Sequence, residues 1–433
     1  MKKLNKFFAV LVALAMMAML CVSMAFAGDG DESAVNKLDG TATASANPLI
    51  EKNLNIAAGV THPLLNFKFD ITQLTTAAQF TPYGSQLDAS EFSTVTRTLS
   101  AKEVNFDATT TAAGDQTASV ALFGADETYT SAGKYAYEVK ERANTYTSIY
   151  TGEDAKYEDA VDYSDAEYFV TVYVANSDTG LYVKHVTVQE ITTNKETGAK
   201  TLGEKEPLLP AGATTGDNGF DFENTYTKKT KNINPKTDLK KTLYVEKTVD
   251  GDAGDKNQKF DFSVIVTAPE EDANAEFEAV ILDKDTGKYY AASDTDTATA
   301  AEVADAKKYT FASGTESFKL AHNEQLVFTK IPYGATYTVE ETDTDATYTA
   351  SVKYTDYAAQ TNPVDFTNGK KVENKIMTDD ETIGNYAIVK NYRATETPEG
   401  ILISNLPYIA LALVAIGGLV AYVVVRRRNA DEA

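Results

Sequence analysis

The sequence predicts an all-β fold of two tandem sandwich domains, and three observations carry that reading. Apolar and polar residues alternate through runs such as Phe67-Lys-Phe69-Asp-Ile71, Phe169-Val-Thr-Val-Tyr173 and Phe260-Asp-Phe262-Ser-Val264. Gly, Asp and Asn cluster between such runs, which is strand patterning with turn punctuation. Between Gly28 and Gly400 no long amphipathic helix pattern occurs. That interval of roughly 370 residues holds more β pattern than one sandwich uses.

The elements follow in chain order. Lys2, Lys3 and Lys6 precede an apolar run from Phe7 to Cys21, then Ala25-Phe26-Ala27 and Gly28-Asp29. A basic start, a short apolar core and a small-x-small site predict a secretory signal peptide over residues 1–27. A first sandwich is expected over 45–228. The polar, basic, Pro-interrupted stretch 229–241 reads as a linker, and a second sandwich is expected over 242–393. Greek-key, immunoglobulin-like architecture suits strands of this length and spacing.

At the far end, Leu406–Val425 is apolar, uncharged and long enough to cross a bilayer of ~30 Å as a helix. Arg426, Arg427 and Arg428 close it and are expected to stay on the cytoplasmic side. Thr397-Pro398-Glu399-Gly400 stands just before the span. The segment 397–433 therefore combines a Pro-x-Gly element, a span and a basic tail.

Composition narrows the function. Lys and Arg total 40 against 63 Asp and Glu, a net charge of -23, which repels nucleic acid and anionic lipid. The one cysteine falls within the signal peptide, so the mature exterior part is expected to lack disulfides. His62, His185 and His322 are the only histidines, and no His/Cys ligand cluster, nucleophile elbow or phosphate loop is present. Asp294-Thr-Asp296 and Asp343-Thr-Asp345 fit no EF-hand spacing. No cofactor, no metal and no enzymatic turnover are expected.

The two halves repeat one another in outline. Ile50-Glu-Lys52-Asn-Leu54, Tyr135-Ala-Tyr137-Glu-Val139-Lys-Glu141 and Phe222-Glu-Asn224-Thr-Tyr226 occur in the first. Val245-Glu-Lys247-Thr-Val249, Tyr337-Thr-Val339-Glu-Glu341 and Val389-Lys-Asn391 occur in the second. Residues two apart share a strand face. Alternation thus aims a Lys, a Glu and an Asn at the core once per half, where an unpaired charge is costly.

Buried lysine tends towards a neutral amine and buried glutamate towards a protonated acid. A neutral amine can attack the Asn amide carbon. A protonated Glu is expected to hydrogen-bond the Asn carbonyl and shuttle a proton to departing ammonia. The product is a Lys–Asn isopeptide bond. Patterning alone leaves open the alternative that these polar groups snorkel to solvent.

The chain resembles the two-domain T-antigen type of streptococcal backbone pilin, with pilin isopeptide-linkage domains. The resemblance runs from about Pro48 to the C-terminus. It is carried by Asp162–Val172, Leu243–Lys256, Phe318–Phe328 and Pro332–Glu341. It implies cross-links Lys52–Asn224 and Lys247–Asn391, with Glu141 and Glu341 as the catalytic residues of bond formation. Val364-Asp-Phe366-Thr-Asn368 also carries a Phe-x-Asn pattern, so Asn368 stands as an alternative to Asn391.

The C-terminal segment resembles a cell-wall sorting signal, with Glu399 where that motif normally has Thr. The resemblance implies a sortase, neighbouring pilin subunits and peptidoglycan as partners, with a transient membrane span before sorting. Lys200 and Lys205 lie in the region expected to supply a polymerising lysine. The implied function is a covalently polymerised, wall-anchored pilus shaft subunit of a Gram-positive cell surface. The alternative is a non-polymerising adhesin or stalk anchored to wall or membrane.

Overall fold

The computed structural model describes residues 48–110, 114–124, 129–177, 180–206, 219–291, 309–342, 345–359, 361–395 and 399–431. The signal peptide, both aspartates of Asp294–Asp296, Asp343, Thr397 and Pro398 lie outside the described residues.

Alternating runs become strands. In the first half these are β1 (Leu49–Ile56), β2 (Leu65–Leu74), β3 (Lys102–Phe106), β4 (Gln116–Ala121), β5 (Gly133–Glu141), β6 (Tyr157–Asp162), β7 (Glu167–Ser177), β8 (Gly180–Thr193), β9 (Lys200–Lys205) and β10 (Gly219–Thr230). In the second they are β11 (Leu243–Asp250), β12 (Phe260–Thr267), β13 (Phe277–Asp283), β14 (Tyr289–Ala291), β15 (Tyr309–Phe311), β16 (Gly314–Leu320), β17 (Glu324–Lys330), β18 (Thr336–Glu341), β19 (Thr349–Asp356), β20 (Thr361–Asn368), β21 (Lys371–Ile376) and β22 (Asn385–Tyr392). The all-β expectation holds. The chain's one long helix among the described residues, α1 (Glu399–Asp431), contains the 21-residue stretch Pro407–Arg427, long and apolar enough to cross a membrane.

Among the described residues four sheets result, and each draws its strands from one half. In the first, β4-β1-β10-β6 faces β3-β2-β5-β7-β8-β9; in the second, β14-β13-β17-β11-β22-β19-β20 faces β16-β12-β18-β21, with β15 added at β13. Phe69 and Phe222 meet across the first sandwich with ring centroids 4.9 Å apart. The first and last strands of each half are neighbours and run parallel: β1 beside β10, β11 beside β22. A short helical stretch at Ala77–Glu91 covers the outer face of the six-stranded sheet, burying Phe80, Tyr83 and Phe92 against Phe169.

The stretch expected as a linker begins inside β10, whose alternation carries Lys228 and Thr230 into the interior. Thr230 N–H donates to Ile331 O at 3.0 Å, and Ile331 N–H donates to Thr230 Oγ1 at 2.9 Å. Ile233 is also buried. The reason is continuity of period two: the inward face of β10 does not stop at Tyr226, and the partner for its last residues comes from the second half. Gly334 sits at this contact with φ +84°, and a Cβ there would lie 2.3 Å from that of Ala57. Most of the buried apolar side chains belong to one connected cluster that spans both halves and includes Ala57 and Ala335.

Candidate functional site

Alternation puts Lys52 between Ile50 and Leu54 on the buried face of β1, and Asn224 between Phe222 and Tyr226 on that of β10. Parallel register pairs Lys52 with Phe222, so Asn224 stands two residues beyond, on the same face of the adjacent strand. Glu141 reaches them from the facing sheet, at the end of β5 opposite Phe69. Lys52 Nζ lies 3.1 Å from Glu141 Oε2 and also donates to Phe222 O at 3.1 Å. Asn224 Nδ2 donates to Glu141 Oε1 at 2.8 Å.

The second half repeats this arrangement. Lys247 pairs with Val389 in the β11/β22 register, and Asn391 again stands two residues beyond. Glu341 comes from β18, opposite Phe262. Its Oε2 is 2.6 Å from Lys247 Nζ, and its Oε1 accepts from Asn391 Nδ2 at 2.6 Å. All six side chains are buried, with Lys52 and Lys247 at 0% exposure. A phenyl ring lies beneath each ammonium, Phe67 at 5.1 Å and Phe260 at 4.1 Å.

Burial sets the electrostatics. It pulls the Lys52 ammonium down to about 8 against the opposing pull of Glu141. Burial likewise pushes the Glu141 carboxyl up, against Lys52, Asn224 and the Ser164 amide. Each displacement favours the uncharged partner, so the amine–acid form of the pair lies closer in energy to the ion pair than it would in water.

One detail differs from the expectation. Both carboxyls face the asparagine nitrogen, not its carbonyl oxygen. In the first trio that oxygen instead accepts from the backbone N–H of Ser164 at 2.6 Å. The reason is proton count: an ionised carboxylate accepts only, and the amide turns its N–H towards it.

The alternative asparagine, Asn368, ends β20 exposed to solvent and pairs opposite Ser351, apart from the second trio. Lys200 Nζ lies 2.9 Å from Glu138 and 3.2 Å from Glu167. Burial lowers its pKa, but the two carboxylates more than offset this and hold it above the usual lysine value. Lys205 is exposed at the end of β9. Glu399 and Gly400 open α1.

Sequence reasoning missed a third buried lysine. Lys228 Nζ pairs with Asp379 at 2.6 Å, joining the two halves, with side chains only 5% and 1% exposed. Asp379 also accepts from Thr61 N and Oγ1. Rings of Tyr150, Tyr157 and Tyr333 lie 4.8, 5.0 and 5.9 Å from the ammonium. Continuing the β10 alternation two residues past Tyr226 would have found it. Among the described residues no group of His, Cys, Asp and Glu is arranged to hold a metal.

Fold and side chains together define a class: an all-β chain with one buried Lys–Glu–Asn trio in each half, bridging the first and last strands. Residues 241–386 match the model of a domain of unknown function, DUF7601. A protein named Pilin from Streptococcus pyogenes serotype M1 is 28% identical over 190 residues, covering 44% of this chain and 49% of the relative. The match thus spans about half the length of that curated relative. The crystal structure of the major pilin from S. pyogenes aligns over 81% of this chain and 99% of its own, at 18% identity and a TM-score of 0.31. The T-13 major pilin of the same species aligns over 80% and 98%, at 16% and 0.27. The chain is similar to streptococcal pilins, as the resemblance in its sequence motifs implies.

Proposed function

We propose that this chain is a structural shaft subunit of a covalently polymerised Gram-positive pilus, locked by two self-formed isopeptide bonds, Lys52–Asn224 and Lys247–Asn391. The observation that carries the reading is the repeated trio. In each half a single buried carboxyl contacts both the amine and the amide nitrogen, one oxygen to each. That carboxyl takes the proton the amine must lose and gives a proton to the ammonia that must leave. Folding supplies the proximity. Bond formation exchanges a buried charged or acidic pair for a neutral amide and happens once per molecule, so the protein turns over no substrate.

Joining neighbouring parallel strands at the two ends of a domain passes a pulling load through covalent links instead of through the ladder. The reading includes two domains, 45–228 and 242–393, with the buried Lys228–Asp379 pair clamping them together. It also includes secretion after removal of residues 1–27, passage through a membrane-held stage by α1, and sortase cleavage within Thr397-Pro398-Glu399-Gly400 before attachment to a neighbouring subunit or peptidoglycan. The experiment is a wall extract resolved by denaturing electrophoresis, with and without the partner sortase. A sortase-dependent ladder of high-mass species supports the shaft; a single band refutes it and leaves a stalk or adhesin.

A further inference from the structure

We propose that the backbone N–H of Ser164 is a catalytic group for the first cross-link, and that the second cross-link, which has no such donor among the described residues, forms more slowly. The inference rests on the isopeptide reading above.

Ser164 lies in the four-residue connection between β6 and β7, and its position is fixed from both sides. β6 pairs with β10 as far as Asp162 opposite Thr225. One more ladder step would set Tyr163 against Asn224, but the chain leaves the sheet there. On the other side, Tyr168 OH donates to Asp221 O at 2.8 Å and accepts from Asp221 N at 3.0 Å, tying the start of β7 to β10. Between these anchors the Ser164 amide turns over the Asn224 side chain, 2.6 Å from Oδ1. A backbone N–H only donates, so this contact identifies the oxygen and leaves Nδ2 facing Glu141.

The reaction balances around that contact. In the amine–acid form of the pair, neutral Lys52 Nζ attacks Asn224 Cγ and the carbonyl π electrons move to Oδ1. The Ser164 N–H stabilises the resulting oxyanion. Glu141 gives its proton to Nδ2 and takes one from Nζ. The oxygen lone pair re-forms the carbonyl, the Cγ–Nδ2 bond breaks, and ammonia leaves. Lys–NH2 plus Asn–CONH2 becomes one secondary amide plus NH3, with Glu141 protonated as it began.

The second trio has the same amine and acid but a different neighbour. Asn391 is 1% exposed, and its Oδ1 has no hydrogen-bond partner among the described residues. Register explains the contrast. β19 stays in the ladder past the asparagine, with Ala350 opposite Asn391 and Thr349 opposite Tyr392. Among the described residues no backbone amide is released to turn over the side chain at that point.

Single-site variants separate the two rates. Glu341→Ala leaves only the first bond able to form and Glu141→Ala only the second. Each chain is made in a cell-free translation system under pulse-chase, and ammonia loss is followed by intact mass. The first site is expected to close about 100-fold faster, the cost of one missing oxyanion donor. In the Glu341→Ala background, Ser164→Pro removes the N–H and should slow closure by a similar factor, whereas Ser164→Ala keeps the N–H and the rate. If Ser164→Pro does not fold, the comparison of the two sites still decides. Equal rates, a faster second site, or a folded Ser164→Pro chain with undiminished rate would overturn the proposal. Absence of ammonia loss at both sites would remove the cross-link reading itself.

Discussion

Replacing Glu141 with alanine removes the group that moves both protons at the first trio, and should leave Lys52 and Asn224 adjacent but unjoined. The bond would close a loop of roughly 170 residues, and a cross-link of that span restricts the unfolded chain by about 5 kcal/mol. A domain of this size shifts by roughly 2–4 °C per kcal/mol, so the first half should melt about 10–20 °C lower. Differential scanning calorimetry of the ectodomain, paired with its intact mass, is the assay. Asn224→Ala is the companion variant. It keeps the Lys52–Glu141 contact and still loses the bond, so a similar drop isolates the cross-link from the cost of an unpaired buried amine. A variant heavier by one ammonia that melts within a few degrees of the parent would refute the argument that the bond stabilises by restricting the unfolded chain.

Asn391→Ala should restore the second ammonia to the mass and lower the melting of the second half, whereas Asn368→Ala should do neither; the reverse result would reassign the second bond. Cross-linking at the first trio should follow a bell-shaped pH profile. Below the raised Glu141 value, above the ordinary 4.5, the pair holds two protons and the amine is a cation; above about 8 the last proton leaves Lys52 and no acid remains for the departing nitrogen. In bond-free Asn224→Ala, Lys52 binds its proton less tightly when folded than when unfolded. Its share of stability should therefore rise with pH between about 8 and 10.5, read as a rising melting temperature. Asp379→Ala strands the Lys228 ammonium in the interior and should cost about 3–5 kcal/mol, while Lys228→Met with Asp379→Leu should recover most of it, both measured by denaturant melts.

Much of this arrangement was legible because period two is a strict rule. Once Ile50 and Leu54 face the core, Lys52 has nowhere else to point, and the same holds for Asn224 between Phe222 and Tyr226. The pairing of β1 with β10 was not legible in the pattern, since parallel register depends on contacts some 170 residues apart along the chain. The linker expectation at 229–241 leaned on composition. Polar residues and a proline look solvated until a partner such as Ile331, which accepts from the Thr230 N–H, arrives from the other half. Ser164 was illegible for a different reason. Its contribution is a backbone N–H released where a strand stops, and side-chain identity carries no trace of that.

The intact mass of the recombinant ectodomain, followed by peptide mapping, tests the central claim most directly. The account predicts a mass short of the sequence by two ammonia molecules, with Lys52 joined to Asn224 and Lys247 joined to Asn391 in the branched peptides. A mass equal to that of the sequence, with all four residues recovered in linear peptides, would contradict it.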